Sequence, residues 1–244
     1  METVLYCAVL IGGATVIGTL IGFIGRRRAE IYAGAIMSIS AGVMLAAAAE
    51  SLISPAFRGE SILGILAAVL GLFLGAITLY SLEKFMPLSS YNPGSKSALL
   101  FAIAVAIHNF PEGLAAGFSF AYGSTEDALA VTIGIALHNI PEGMIAVFPL
   151  LAAGVPLPRA LLLSLSGGCA EVAGTIIGFV TSGYAEAFLP FLLAFAGGTM
   201  LYAILCEVIP EGQLSGRRRS SFLIILGYSA MMTLKEIIGG QAFG

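Results

Sequence analysis

An all-α, polytopic membrane protein is the fold class this sequence predicts, on three observations. Of its 244 residues 58% are hydrophobic and only 10% charged, with a mean hydropathy of +0.99. A water-soluble domain of this size could not bury that much apolar surface. The apolar runs are also long and continuous, near the roughly 20 residues a helix needs to span a bilayer, and do not alternate as the strands of an outer-membrane barrel would. Thirty-one glycines spread through the chain would let helix backbones pack closely.

Eight spans follow in order. The first, 3–25, is closed by Arg26-Arg27-Arg28; basic residues after the apolar run, with no cleavage site, favour a retained span over a signal peptide. Span two covers 31–53 and stops at Ser54-Pro55, and span three covers 61–82. The connector 83–97, with Pro87, Asn92-Pro93-Gly94 and two lysines, reads as loop. Spans four (98–122) and five (128–150) are joined by a turn short enough to require an antiparallel hairpin. Spans six (158–182), seven (188–209) and eight (222–238) complete the chain, with Arg217-Arg218-Arg219 before the last.

Charge placement orients these spans. Alternate connectors put Arg26, Arg27, Arg28, Lys84, Lys96, Arg159, Arg217, Arg218 and Arg219 on one side and Arg58 alone on the other, with Lys235 inside span eight. Basic loops stay cytoplasmic, so both termini are expected outside the cytoplasm of a cell (inner) membrane protein. The three cysteines, Cys7, Cys169 and Cys206, lie in apolar spans without CxxC spacing, so neither a disulfide framework nor a structural zinc knuckle is expected.

Chemistry concentrates in two copies of one six-residue word: His108-Asn109-Phe110-Pro111-Glu112-Gly113 in span four and His138-Asn139-Ile140-Pro141-Glu142-Gly143 in span five. They hold the only two histidines of the chain. On a helix the histidine and the glutamate of each word share a face, about 6 Å apart along the axis, with the asparagine on a neighbouring edge. Pro111 and Pro141 free the carbonyls of Ile107 and Leu137, which a bilayer tolerates only beside a polar cavity or other partners. Glu171 adds a third acid near the middle of span six. An acid at the centre of a span costs roughly 2.5–3.5 kcal/mol even on mild insertion scales. With no basic residue at that depth, three carboxylates beside neutral imidazoles favour divalent cations, and a mixed nitrogen and oxygen set suits zinc or another first-row ion. Two such ions would nearly balance the three acids.

A fainter repeat pairs Gly42-Val43-Met44-Leu45, Glu50 and Pro55 of span two with Gly198-Thr199-Met200-Leu201, Glu207 and Pro210 of span seven. These spans would cross in opposite directions, as in an inverted repeat.

With both words, the acid of Ser166-Gly167-Gly168-Cys169-Ala170-Glu171 and eight spans, the sequence resembles the ZIP (Zrt- and Irt-like protein) family of divalent metal transporters along essentially its whole length, most closely its bacterial ZupT- and GufA-like branch. The resemblance implies one transmembrane transporter domain over 1–244, in a 3+2+3 arrangement, that is not an enzyme and moves metal toward the cytoplasm. Zinc is the expected substrate, with iron, manganese, cadmium and cobalt compatible, two ions per site and no resident cofactor. By the family pattern His108, Glu112, His138 and Glu142 would hold one ion and Asn109, Asn139 and Glu171 the second, Glu112 and Glu142 bridging. The connector 83–97 lacks the histidine-rich loop of many members, and the two residues before span one leave no extracellular metal-binding domain in view.

Outside the words, Glu207 and Glu211 near the inner end of span seven could form an exit site and Glu50 could line an entrance; the bland reading of each is an acid solvated at the interface. Cys206, Met44 and Met200 read as core residues before ligands, and Lys235-Glu236 as a self-neutralising pair. The expected partners are divalent metal ions and the lipid bilayer, with no nucleic acid; a homodimer through the glycine-rich spans is left open. An intramembrane metalloenzyme or a metal sensor is the alternative class. Zinc proteases, however, use HExxH, membrane desaturases need many histidines, and four-helix di-iron sites read Glu-x-x-His, none of which occurs here.

Overall fold

The computed structural model describes residues 1–58, 61–85, 95–122, 125–152, 155–182, 188–213 and 216–238, and they are almost wholly helical, with no strand among the described residues. In a bilayer the backbone must satisfy its own polar groups, and helices do so within one segment. The order is α1 (Glu2–Ala47), α2 (Ser54–Ala56), α3 (Ile62–Phe85), α4 (Ser95–Tyr122), α5 (Thr125–Ala152), α6 (Leu157–Ser182), α7 (Leu189–Ala203), α8 (Ile209–Gln213) and α9 (Arg217–Ile238). Among the described residues four segments are long and apolar enough to cross a membrane: Glu2–Gly25, Gly34–Ala56, Ile62–Leu82 and Leu157–Thr181. Only 22% of the third is buried, and Ile62, Leu63 and Phe73 point outward, the signature of a helix in contact with lipid.

Residues 2–47 all take helical backbone, as α1. Were it straight, Ile11 and Ala46 would be about 52 Å apart. Yet Asn139 of α5 bonds to the Ile11 carbonyl, while Gly134, just over one turn earlier on the same helix, abuts Met231, which packs with Ala46 and Ala47. Helix α1 therefore does not run straight from Ile11 to Ala46, and its two apolar segments, Glu2–Gly25 and Gly34–Ala56, pack along the same bundle. The side chains of Arg26, Arg27 and Arg28 between them lie outside the described residues.

Two further helices run past their expected ends. Span two continues through a π-helical segment, Ala48–Ile53, into α2, and span seven through another, Ile204–Val208, into α8. Each π segment carries a glutamate, Glu50 or Glu207, and precedes a proline, Pro55 or Pro210. Proline cannot donate to the helix ladder, and a wider turn just before it takes up the mismatch without ending the helix. The last helix starts earlier than expected: Arg217, Arg218 and Arg219 form its exposed first turn, released by Gly216 at φ 117°, a conformation that favours glycine. The expected loop and hairpin turn fall largely on residues 86–94 and 123–124, which lie outside the described residues.

Helix contacts recur at a fixed spacing. Gly12 of α1 and Gly168 of α6 meet backbone to backbone, each blocked from carrying a side chain by the other's carbonyl. Gly18 closes on the carbonyl of Ile140 in α5, and Gly174 on that of Phe110 in α4. Gly143 closes on Thr15, and Gly113 on Glu171. Farther along, Gly42 meets Ile224 of α9 and Gly198 meets Leu72 of α3, while Gly227 meets Ile39 and Gly75 meets Phe195. Gly12 and Gly168, Thr15 and Glu171, Gly18 and Gly174, Ile39 and Phe195, and Gly42 and Gly198 are all 156 residues apart. Met44 and Met200 share that spacing and are both buried in one apolar core.

One expected pair is replaced. Lys235 does not neutralise its neighbour Glu236 but bonds Glu50 at 2.9 Å, joining α9 to the first π segment. Successive residues on a helix point in different directions, whereas α9 runs alongside the second half of α1, from Ser38 against Ser220 at 2.8 Å to Glu50 against Lys235.

Candidate metal centre

Each word sits inside a long helix, the first in α4 and the second in α5, and Pro111 is accommodated within α4. The closing glycine of each word fixes its depth: with no β-carbon at Gly113, α4 lies directly on the backbone of Glu171, and with none at Gly143, α5 lies directly on that of Thr15. Glu171 is thereby enclosed by α4, α5, α6 and the first half of α1.

Asn109, Glu112, Asn139 and Glu171 are all 0% exposed, and Glu142 is half-buried. Asn109 Nδ2 donates to Glu171 Oε1 at 2.5 Å and Asn139 Nδ2 donates to the same oxygen at 2.8 Å, with a further bond at 3.3 Å to the carbonyl of Ile11. Thr15 Oγ1 spans the carboxylate, 3.2 Å from Oε1 and 3.4 Å from Oε2. The three acids Glu112, Glu142 and Glu171 are near enough to repel one another.

The amide oxygens, by contrast, are unpartnered. Asn109 Oδ1 and Asn139 Oδ1 are buried and accept no hydrogen bond. A buried carbonyl left unmatched costs about 1–3 kcal/mol. Turning either amide over would set its oxygen against Glu171 Oε1, so the carboxylate itself dictates this orientation. Two neutral oxygen donors beside three carboxylates within electrostatic range are the kinds of group a divalent cation takes.

Of the residues expected from sequence, the structure thus brings Asn109, Asn139 and Glu171 into direct contact, with Glu112 and Glu142 within electrostatic range. The side chains of His108, His138, Glu207 and Glu211 lie outside the described residues. Among the described residues no group of three or more His, Cys, Asp and Glu side chains is arranged to hold a metal. Glu50 stands apart from this cluster, paired with Lys235. Cys206 and Cys169 are exposed on the helix surface and Cys7 is buried, all three free.

Sequence reasoning missed a set of buried hydroxyls on the α1 and α6 contact. Thr19 Oγ1 donates to Ser164 Oγ at 2.7 Å and to the Thr15 carbonyl at 3.1 Å, and Thr175 Oγ1 makes the equivalent bond to the Glu171 carbonyl at 2.8 Å. The signal was present as Gly12-Gly13-Ala14-Thr15 beside Gly168-Cys169-Ala170-Glu171, a shared Gly-x-Ala at the same 156-residue spacing.

Comparison with known proteins gives the family. The family described as ZIP Zinc transporter matches residues 87–235, which hold both words and Glu171. The chain belongs to the ZIP family. It is 34% identical to the zinc transporter GufA of Myxococcus xanthus over 250 residues, covering 96% of this chain and 98% of that protein. It is 34% identical to the zinc transporter ZIPB of Bordetella bronchiseptica, over 93% of this chain and 78% of that protein. With the zinc transporter ZupT of Escherichia coli O81 it shares 27% identity over 98% of this chain and 99% of the relative. ZIP proteins are metal ion transporters, not enzymes, and this member is a multi-pass membrane protein with several apolar helices.

Proposed function

We propose that this ZIP protein carries zinc into the cytoplasm through a two-ion site at the middle of the bilayer, with iron, manganese, cadmium and cobalt as compatible substrates. His108, Glu112, His138 and Glu142 hold one ion, Asn109, Asn139 and Glu171 the other, and Glu112 and Glu142 bridge them. The observation that carries this reading is the pair of buried, unmatched amide oxygens, Asn109 Oδ1 and Asn139 Oδ1, on side chains whose nitrogens hold the buried acid Glu171 inside a membrane protein. Two divalent ions bring four positive charges to three carboxylates, which offsets the cost of burying those acids. Their mutual repulsion across shared ligands favours release, as conduction requires.

The frame we infer is eight spans in a 3+2+3 arrangement within the inner membrane, both termini outside the cytoplasm, the first three spans related to the last three as an inverted repeat. Support comes from the one-sided placement of basic connectors and from helix contacts repeating at 156 residues. Glu207 and Glu211 form the inner exit. Glu50 lies at the outer entrance, where release from Lys235 would free its carboxylate.

The test is zinc uptake into liposomes holding the purified protein, beside Glu112→Ala and His138→Ala variants inserted to the same level. Saturable uptake abolished by both substitutions is expected. A wild type that binds zinc and moves none under any imposed gradient would overturn the reading.

A further inference from the structure

The contact of Thr15 with Glu171 extends the transport site onto a helix that contributes none of its proposed ligands. Thr15 is 4% exposed and occupies, 156 residues earlier, the place that Glu171 occupies in α6. The equivalence is structural as well as numerical. The closing glycine of the first word packs on the backbone of Glu171 and that of the second word on the backbone of Thr15; one turn later Thr19 and Thr175 bond back to the two carbonyls in the same way. Where the two halves correspond, one therefore presents a carboxylate and the other a hydroxyl, and the hydroxyl donates to the carboxylate.

Three donors converge on Glu171, and they are not equivalent. Both asparagine amides reach only Oε1, while the Thr15 hydroxyl straddles Oε1 and Oε2. Oε2, with only the long 3.4 Å contact to Thr15, is the oxygen left open to a cation. The amides are also the groups whose oxygens a metal would recruit, so any turn they make toward it loosens their hold on Oε1. Thr15 alone among the three has no such second task.

We propose that Thr15 is a positioning residue for the second ion: its hydroxyl fixes the rotation of the Glu171 carboxylate so that Oε2 faces the ion shared with Asn109 and Asn139. The inference rests on the two-ion reading above. Outer partners that orient a ligand carboxylate typically govern metal affinity by 10- to 100-fold.

The experiment is zinc titration calorimetry on detergent-solubilised protein, paired with liposome uptake, for wild type, Thr15→Val, Thr15→Ser and Thr19→Val. Valine keeps the shape of threonine and removes the hydroxyl; serine keeps the hydroxyl. The Thr19 variant removes a buried hydroxyl from the same helix contact that does not touch Glu171. Thr15→Val should weaken the second zinc equivalent about tenfold or more and leave the first intact. Its half-saturating zinc concentration should rise, while Thr15→Ser and Thr19→Val stay near wild type. Thr15→Ala serves where the valine variant does not insert. Two unchanged zinc equivalents in the variant lacking the hydroxyl, or equal losses in Thr15→Val and Thr19→Val, would overturn the proposal. Failure of wild type to move zinc would instead overturn the transport reading.

Discussion

Asn109 and Asn139 donate to the same oxygen of one carboxylate, Glu171 Oε1, from two helices whose words lie thirty residues apart. Both amides are held in one orientation by a single negative group, and both oxygens are left buried without partners.

On the two-ion site proposed above, removing either amide should act on the second ion. Asn109→Ala and Asn139→Ala each delete one neutral oxygen donor and one bond to Glu171. Zinc affinity at that site should fall about tenfold or more in each. Competition titration with a zinc-binding dye reads this, and the two variants should agree.

The word glycines should be intolerant of the smallest side chain. A β-carbon at Gly113 meets the Glu171 carbonyl and one at Gly143 meets the Thr15 carbonyl, backbone atoms that cannot step aside. Gly113→Ala and Gly143→Ala should each lower stability by about 1–3 kcal/mol, as overpacking does. At Gly13 the space is open, so Gly13→Ala should stabilise the helix by up to about 1 kcal/mol. Thermal unfolding in detergent separates the two cases.

The Glu50 and Lys235 pair should matter little for stability. Both side chains are partly exposed, at 29% and 24%, and a pair of that kind contributes about 0–1 kcal/mol. Lys235→Ala should melt close to wild type, whereas Lys235→Glu sets two acids face to face and should melt lower. Scanning fluorimetry of the two variants distinguishes them.

Much of this was legible in the sequence because the bilayer enforces simple rules. Apolar length marked the helices, and the placement of Glu112, Glu142 and Glu171 near the middle of their spans pointed to the acids that the structure brings near one another. The π segments at Glu50 and Glu207 left no mark, since periodicity and propensity do not register one extra residue in a turn. The partner of Lys235 was misread because a neighbour in sequence was preferred to a residue 185 positions away on a packed helix. Thr15 was passed over for a different reason: one hydroxyl in an apolar run has no pattern until the 156-residue correspondence gives it a counterpart. Two apolar segments were expected where the structure has the one long α1, and contacts to α5 and α9 show that it does not run straight.

The central claim, that the two words and Glu171 hold metal ions, is tested most directly by anomalous diffraction at the zinc absorption edge from crystals grown with zinc. Two adjacent peaks enclosed by α4, α5 and α6, one of them within bonding distance of Asn109 Oδ1, Asn139 Oδ1 and Glu171 Oε2, are the predicted result. Zinc peaks confined to surface acids, with none among these residues in fully zinc-loaded protein, would contradict it.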